Sequence, residues 1–143
     1  MPMSGTEKMH SRSFKLSLAL MIVTVVAGLA LRFGRFGLPS FVVKYGGSMM
    51  WALMIYWIVS ALLPSWRLLA VGLLAGVLAT AVEFIKLFHS PALDASRLTL
   101  PGILLLGRFF SVWDIVAYWL AISLGAFVDR SIRAANQEKS GCN

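Results

Sequence analysis

A chain of 143 residues in which 59% are apolar and 13% charged, with a mean hydropathy of +0.80, carries more apolar surface than a soluble domain of this length can bury. Its formal charge of +7 is not a nucleic-acid footprint, because the basic residues flank apolar segments instead of forming a surface stripe with stacking aromatics. The expected counter-charges are the anionic head groups of membrane lipids, and the single cysteine, Cys142, leaves no disulfide framework and no thiolate metal cluster.

The first apolar segment covers residues 16–31, after an N-terminal tail (1–15) holding Lys8, Arg12 and Lys15, and is closed by Arg32. It reads as an uncleaved membrane helix. Gly28 and Ala30 also fit a signal-peptide cleavage pair, but an apolar stretch flanked by Phe14 and Phe33 is long for that role. A second segment, 48–63, is joined by the turn Pro64-Ser65-Trp66-Arg67 to a third, 68–88. So short a link makes these two helices antiparallel neighbours. The fourth covers 112–128 and is followed by a polar tail, 129–143, expected to fray.

Between the third and fourth segments, residues 89–111 hold Pro91, Asp94, Arg97, Pro101, Gly102 and Arg108 around a short apolar run at 103–106. A span needs roughly 20 residues, so this stretch reads as re-entrant or interfacial. The predicted fold is an all-α integral membrane protein, one membrane domain made of a four-transmembrane-helix bundle.

With four spans the termini share a side. That side carries Lys8, Arg12, Lys15, Arg67, Arg130, Arg133 and Lys139, against Arg32, Arg35, Lys44, Lys86, Arg97 and Arg108 on the other. Seven cations against six, with a basic N-terminus, favour both termini on the cytoplasmic side. The opposite side also holds Glu83, Asp94 and Asp114, which leaves a local excess of three positive charges suited to an anionic ligand.

Charge at membrane depth costs roughly 2.5–3.5 kcal/mol per group, so the row Glu83, Lys86, His89, Asp94, Arg97, Arg108 and Asp114 is the candidate site. Helical spacing gathers it. Gly72, Gly76, Thr80 and Glu83 form one stripe, with Lys86 three residues beyond the carboxylate. Asp114, Tyr118, Ala121 and Gly125 form a second stripe, Ser48, Ala52, Tyr56 and Ser60 a third, and Thr24, Gly28 and Arg32 a fourth. Small residues at such spacing let helix backbones approach closely, within one chain or against a second copy or another membrane protein. Paired charges such as Glu83–Lys86 or Arg97–Asp114 also serve simply to lock helices together.

The chemistry of a known enzyme class is missing. There is no G-x-S-x-G elbow, H-E-x-x-H, P-loop or dinucleotide fingerprint, and a lone His89 beside Glu83 and Asp94 makes a poor metal set. No cofactor is implied. Glu83, Asp114 and His89 are the candidates for acid–base work on a lipid-linked substrate. The five tryptophans read as interface anchors or bundle filler.

Leu38-Pro39, Lys44 to Leu53, Val82 to His89, Leu93-Asp94, Arg97, Gly107 and Phe110 to Tyr118 resemble the bacterial family catalogued as domain of unknown function 2809. More distantly, the Glu in the third helix, the following Arg and the Asp opening the fourth are similar to VanZ-like membrane proteins, a group linked to glycopeptide tolerance at the cell envelope. The resemblance implies a four-helix bacterial inner-membrane protein without assigned activity, in which Glu83, Asp94, Arg97, Asp114 and Tyr118 match the recurring polar positions. It also implies two departures, Ser48 in place of Asp and Lys86 in place of Gln. Both shift the site toward positive charge, and Lys86 is expected to neutralise Glu83. The leading expectation is recognition of an anionic lipid or lipid-linked head group by Arg97, Lys86 and Lys44, oriented by Glu83 and Asp114, in an accessory or transport role at the envelope. An intramembrane acid–base enzyme and a structural subunit of a membrane complex are the alternatives.

Overall fold

The computed structural model describes residues 14–105 and 109–142. The basic residues Lys8 and Arg12 of the N-terminal tail, and Arg108, lie outside these. The described chain is all helical: α1 (Phe14–Phe33), α2 (Ser40–Leu62), α3 (Leu68–Ile85), the short α4 (Pro91–Arg97) and α5 (Leu100–Leu105), and α6 (Val112–Gly141). Four of these, α1, α2, α3 and α6, are long and apolar enough to cross a membrane. The protein is a multi-pass membrane protein.

Helix α2 is the hub, packing α1 on one side and α3 and α6 on the other. Gly28 of α1 faces Met50, and Gly46 faces Leu31, so α1 and α2 run antiparallel at close approach. Between α2, α3 and α6 the interior is built from small residues: Ala52, Ala75, Ala79 and Ala121 are all buried, with Tyr56 and Val71 filling the space between them. Lipid offers no hydrophobic drive for one helix to meet another, so close packing of such residues holds the bundle. Gly76 lies directly under the Trp119 ring, where any Cβ would overlap it, and Gly72 packs near Ile122. The stripe through Gly72 and Gly76 is therefore spent inside the chain, against α6. Leu69, Leu73 and Val77 of α3 and Trp113, Leu120, Leu124 and Phe127 of α6 point outward, as lipid-facing residues should.

Most helix bounds fall within about three residues of the sequence reading, α3 ending at Ile85 and not 88, and two differ by more, each for a tertiary reason. Helix α2 begins at Ser40, not 48: the Gly46-Gly47 pair weakens a helix in isolation, but Gly46 here lets α1 approach, with Leu31 against it. Helix α6 does not stop at 128. It continues to Gly141, carried past the apolar stretch by the buried side chain of Asp129 and then by good helix formers in Ala134-Ala135-Asn136-Gln137-Glu138-Lys139. The segment between α3 and α6 holds two short helices. The first opens on Ser90, whose hydroxyl accepts from the Leu93 amide at 3.3 Å, with Pro91 in the first turn.

Candidate functional site

The antiparallel arrangement gathers the C-terminal ends of α1 and α3 and the N-terminal ends of α2 and α6 at one end of the bundle. Glu83, fully buried on α3, is the centre of the polar cluster there. Its Oε2 accepts from Lys86 Nζ at 2.5 Å and from the Tyr118 hydroxyl at 2.8 Å, and its Oε1 accepts from the Ser111 amide at 2.8 Å. One carboxylate thus joins the end of α3 to the start of α6. Its charge also sits at the α6 N-terminus, where unpaired amides favour an anion. The i,i+3 pairing of Lys86 with Glu83 is the neutralisation that the sequence predicts.

Arg97 does different work from the predicted pairing with Asp114. Its Nη2 donates to the carbonyls of Ile85 and Phe88 at 3.0 and 3.1 Å, and its Nη1 to Asp94 Oδ1 at 3.2 Å. The last carbonyls of a helix have no partner within it. Arg97, only 5% exposed, supplies one and folds the α4 segment back onto the end of α3. His89 is largely exposed and lies 3.4 Å from the same Asp94 oxygen. Among the described residues no three of His, Cys, Asp and Glu converge as a metal-holding group.

Asp114 is the buried carboxylate in the first turn of α6. Ser48 donates to its Oδ1 at 3.2 Å, and the same hydroxyl lies 3.1 Å from the Lys44 carbonyl. Lys44 itself is exposed, its ammonium 5.2 Å from the centroid of the Tyr45 ring. Tyr118 packs on Trp51 with centroids 5.3 Å apart, so α2, α3 and α6 all meet around it. The site residues read from sequence therefore fall into two sets. Glu83, Lys86, Tyr118 and Asp114 share one cluster, which only the backbone carbonyl of Lys44 reaches through Ser48 while its ammonium stays exposed; Arg97, Asp94 and His89 form an adjoining one on the connecting segment.

Around the buried groups stand three exposed cations, Arg32, Arg35 and Lys44. Among the described residues none of them has a carboxylate within ion-pair distance, whereas Lys86 and Arg97 both do.

A second polar cluster lies at the other end, where the sequence reading placed only a fraying tail. Asp129 is fully buried. Its Oδ2 accepts from Tyr56 at 2.9 Å and from Ser60 at 3.5 Å, and its Oδ1 from Arg133 Nε at 3.4 Å. The signal was available: Asp129 lies four residues beyond Gly125, the next step of the α6 stripe, and Tyr56 and Ser60 needed a polar partner at that level.

Comparison with known proteins adds one match: residues 37–122 fit the model of a family described as Protein of unknown function (DUF2809). No curated protein and no solved structure matches the chain. The matched stretch runs from the turn before α2 to the middle of α6 and contains Lys44, Glu83, Lys86, Asp94, Arg97, Asp114 and Tyr118. The chain therefore belongs to the DUF2809 family, proteins of unknown function that here take the form of four membrane-spanning helices around a buried carboxylate.

Proposed function

We propose that this protein binds an anionic lipid or lipid-linked head group at the Glu83 end of the bundle, as an accessory or transport component of the cell envelope. The observation that carries the reading is the contrast among its cations. Lys86 and Arg97 are spent on Glu83, Asp94 and helix carbonyls, while Arg32, Arg35 and Lys44 stand exposed with no carboxylate within ion-pair distance among the described residues, Lys44 feeling only the more distant charge of Asp114. Unmatched basic residues beside a membrane-spanning segment attract anionic head groups by about 1 kcal/mol each. Arg97 and Lys86 then shape the site, and Lys44 and Arg32 touch the ligand. The balance of basic residues supports an inner-membrane protein with both termini cytoplasmic and this end facing outward.

The test is thermal unfolding of the purified protein in mixed micelles containing phosphatidylglycerol or phosphatidylcholine. A ligand that binds only the folded state raises the midpoint with its concentration. Phosphatidylglycerol should raise it more, and the double change Arg32→Ala and Lys44→Ala should erase the difference. An equal response of both proteins to both lipids would contradict the reading.

An intramembrane acid–base role finds support in one residue. Glu83 already accepts three hydrogen bonds and His89 is turned outward, but buried Asp114 takes a single side-chain donor, Ser48, among the described residues. If Asp114 exchanges a proton with a substrate, Asp114→Asn abolishes turnover and leaves lipid binding in place.

A further inference from the structure

A groove of about 340 Å³ runs between α1 and α2. Its walls include Thr24, Gly28 and Arg32 on α1, Gly47 and Trp51 on α2, and Pro101 of α5. Thr24 turns its hydroxyl to the Leu20 carbonyl at 2.7 Å, which leaves its methyl for the groove, and the other walls apart from Arg32 are mostly apolar. From Thr24 to Arg32 the groove follows α1 for about 12 Å, at about 1.5 Å per residue. It ends beside Arg32, an exposed guanidinium with no carboxylate in reach among the described residues. The wall also contains a polar anomaly: Trp51 Nε1 is buried without a hydrogen-bond partner among the described residues. Two glycines shape the space. An added Cβ at Gly28 would lie 3.1 Å from Met50 Cβ, whereas at Gly47 it would meet nothing within 4 Å.

We infer that this groove holds one hydrocarbon chain of an anionic amphiphile, with the head group on Arg32. The inference rests on the reading of the site as an anionic-lipid site and deepens it by naming where the chain goes. Charge complementarity selects the occupant. An apolar slot with a lone cation at its mouth matches a single acyl chain joined to a phosphate or carboxylate. A neutral partner helix would bury the Arg32 guanidinium with no counter-charge, which is costly in lipid. Trp51 packs at a tilt against Tyr118, which donates to Glu83, so the groove borders the residues that join α2 and α3 to α6.

The full-length protein in detergent is titrated with lysophosphatidylglycerol whose chain is dibrominated at mid-length, and with the matching lysophosphatidylcholine, while tryptophan fluorescence is followed. Bromine quenches tryptophan at short range, and the Trp51→Phe variant isolates the contribution of that ring. The inference predicts saturable quenching that is absent in Trp51→Phe, and at least tenfold weaker in Gly47→Phe, which fills the groove from a position free of clashes. Arg32→Ala should retain the chain and lose the preference for the anionic head group.

The outcomes separate the two claims. Saturable quenching of wild-type strength in Gly47→Phe would overturn the chain site, and a surviving preference for the anionic head group in that variant would leave the head-group reading standing. Equal affinity for the two lysolipids, lost in Gly47→Phe, would uphold the chain site and sink the head-group reading. If neither lipid gives saturable quenching and Gly47→Phe dissociates a dimer, the groove belongs to a helix of a second copy and the inference fails.

Discussion

The buried charges of Glu83, Arg97 and Asp129 each have named partners among the described residues. Glu83 has Lys86, Tyr118 and the Ser111 amide; Arg97 has two carbonyls and Asp94; Asp129 has Tyr56, Ser60 and Arg133. A buried ion pair adds little net stability over an apolar pair, but removing one partner strands the other and costs several kcal/mol. Asp129→Ala, which removes an acceptor from Tyr56, Ser60 and Arg133, should therefore lower unfolding stability by about 3 kcal/mol. Equilibrium unfolding in mixed detergent micelles measures it, and a loss below about 0.5 kcal/mol would show that the cluster is not a clamp. The residue scale also shows what sequence can and cannot reveal. The Glu83–Lys86 pair was legible because both partners sit on one helix, three residues apart. The targets of Arg97 were not, because backbone carbonyls at the end of α3 carry no side-chain signature, and become acceptors only after the chain has folded back through α4. Asp129 was missed because a carboxylate at the start of a polar run looks like surface.

At the scale of the element, three of the four polar-headed stripes turn mainly inward, whereas on α1 only Thr24 is buried, Gly28 is half-buried and Arg32 is exposed. Ala52, Tyr56 and Ser60 on α2, Gly72, Gly76 and Glu83 on α3, and Asp114, Tyr118, Ala121 and Gly125 on α6 are all buried. Their periodicity states which face turns inward but not what lies opposite. That is why the Gly72–Gly76 stripe also suited an external partner. With Trp119 seated on Gly76, Gly76→Leu drives a side chain into the ring, and overpacking of this kind costs typically ~1–3 kcal/mol. The variant should unfold at a lower temperature, with no change in the oligomeric state seen by light scattering. Dissociation of an oligomer without loss of stability would place the stripe on the outside of the bundle after all. Helix ends were the least legible feature. Gly46-Gly47 weakens a helix by local propensity and is overridden by the packing of α1 on Gly46, while the polar run after Val128 reads as a tail only because it lacks apolar periodicity, although its residues are good helix formers.

For the whole molecule, the two polar clusters sit toward opposite ends of the bundle. Asp114 and Asp129 are fifteen positions apart on α6, about 22 Å at about 1.5 Å per residue, within a hydrocarbon core of about 30 Å. The proposed orientation puts the Arg32, Arg35 and Lys44 end on the outer side and Cys142 inside. A membrane-impermeant maleimide should label Cys142 only after the membrane is opened. In a variant with Cys142→Ser and Arg35→Cys, it should label the new thiol in intact cells. The reverse pattern would invert the topology and bring the exposed cations to the cytoplasmic leaflet. The fold class and the membrane spans were legible from composition alone. The groove between α1 and α2 was not, because its shape depends on which side of Gly47 remains empty, and no periodicity encodes an empty space.

The central claim is that the exposed cations at the Glu83 end recognise an anionic amphiphile. Native mass spectrometry of the gently extracted protein tests it most directly, comparing wild type with the variant carrying Arg32→Ala, Arg35→Ala and Lys44→Ala. The account predicts a defined anionic lipid retained by the wild type and lost from the variant, with both proteins folded. Retention of the same species by both, or of none by either, would contradict it.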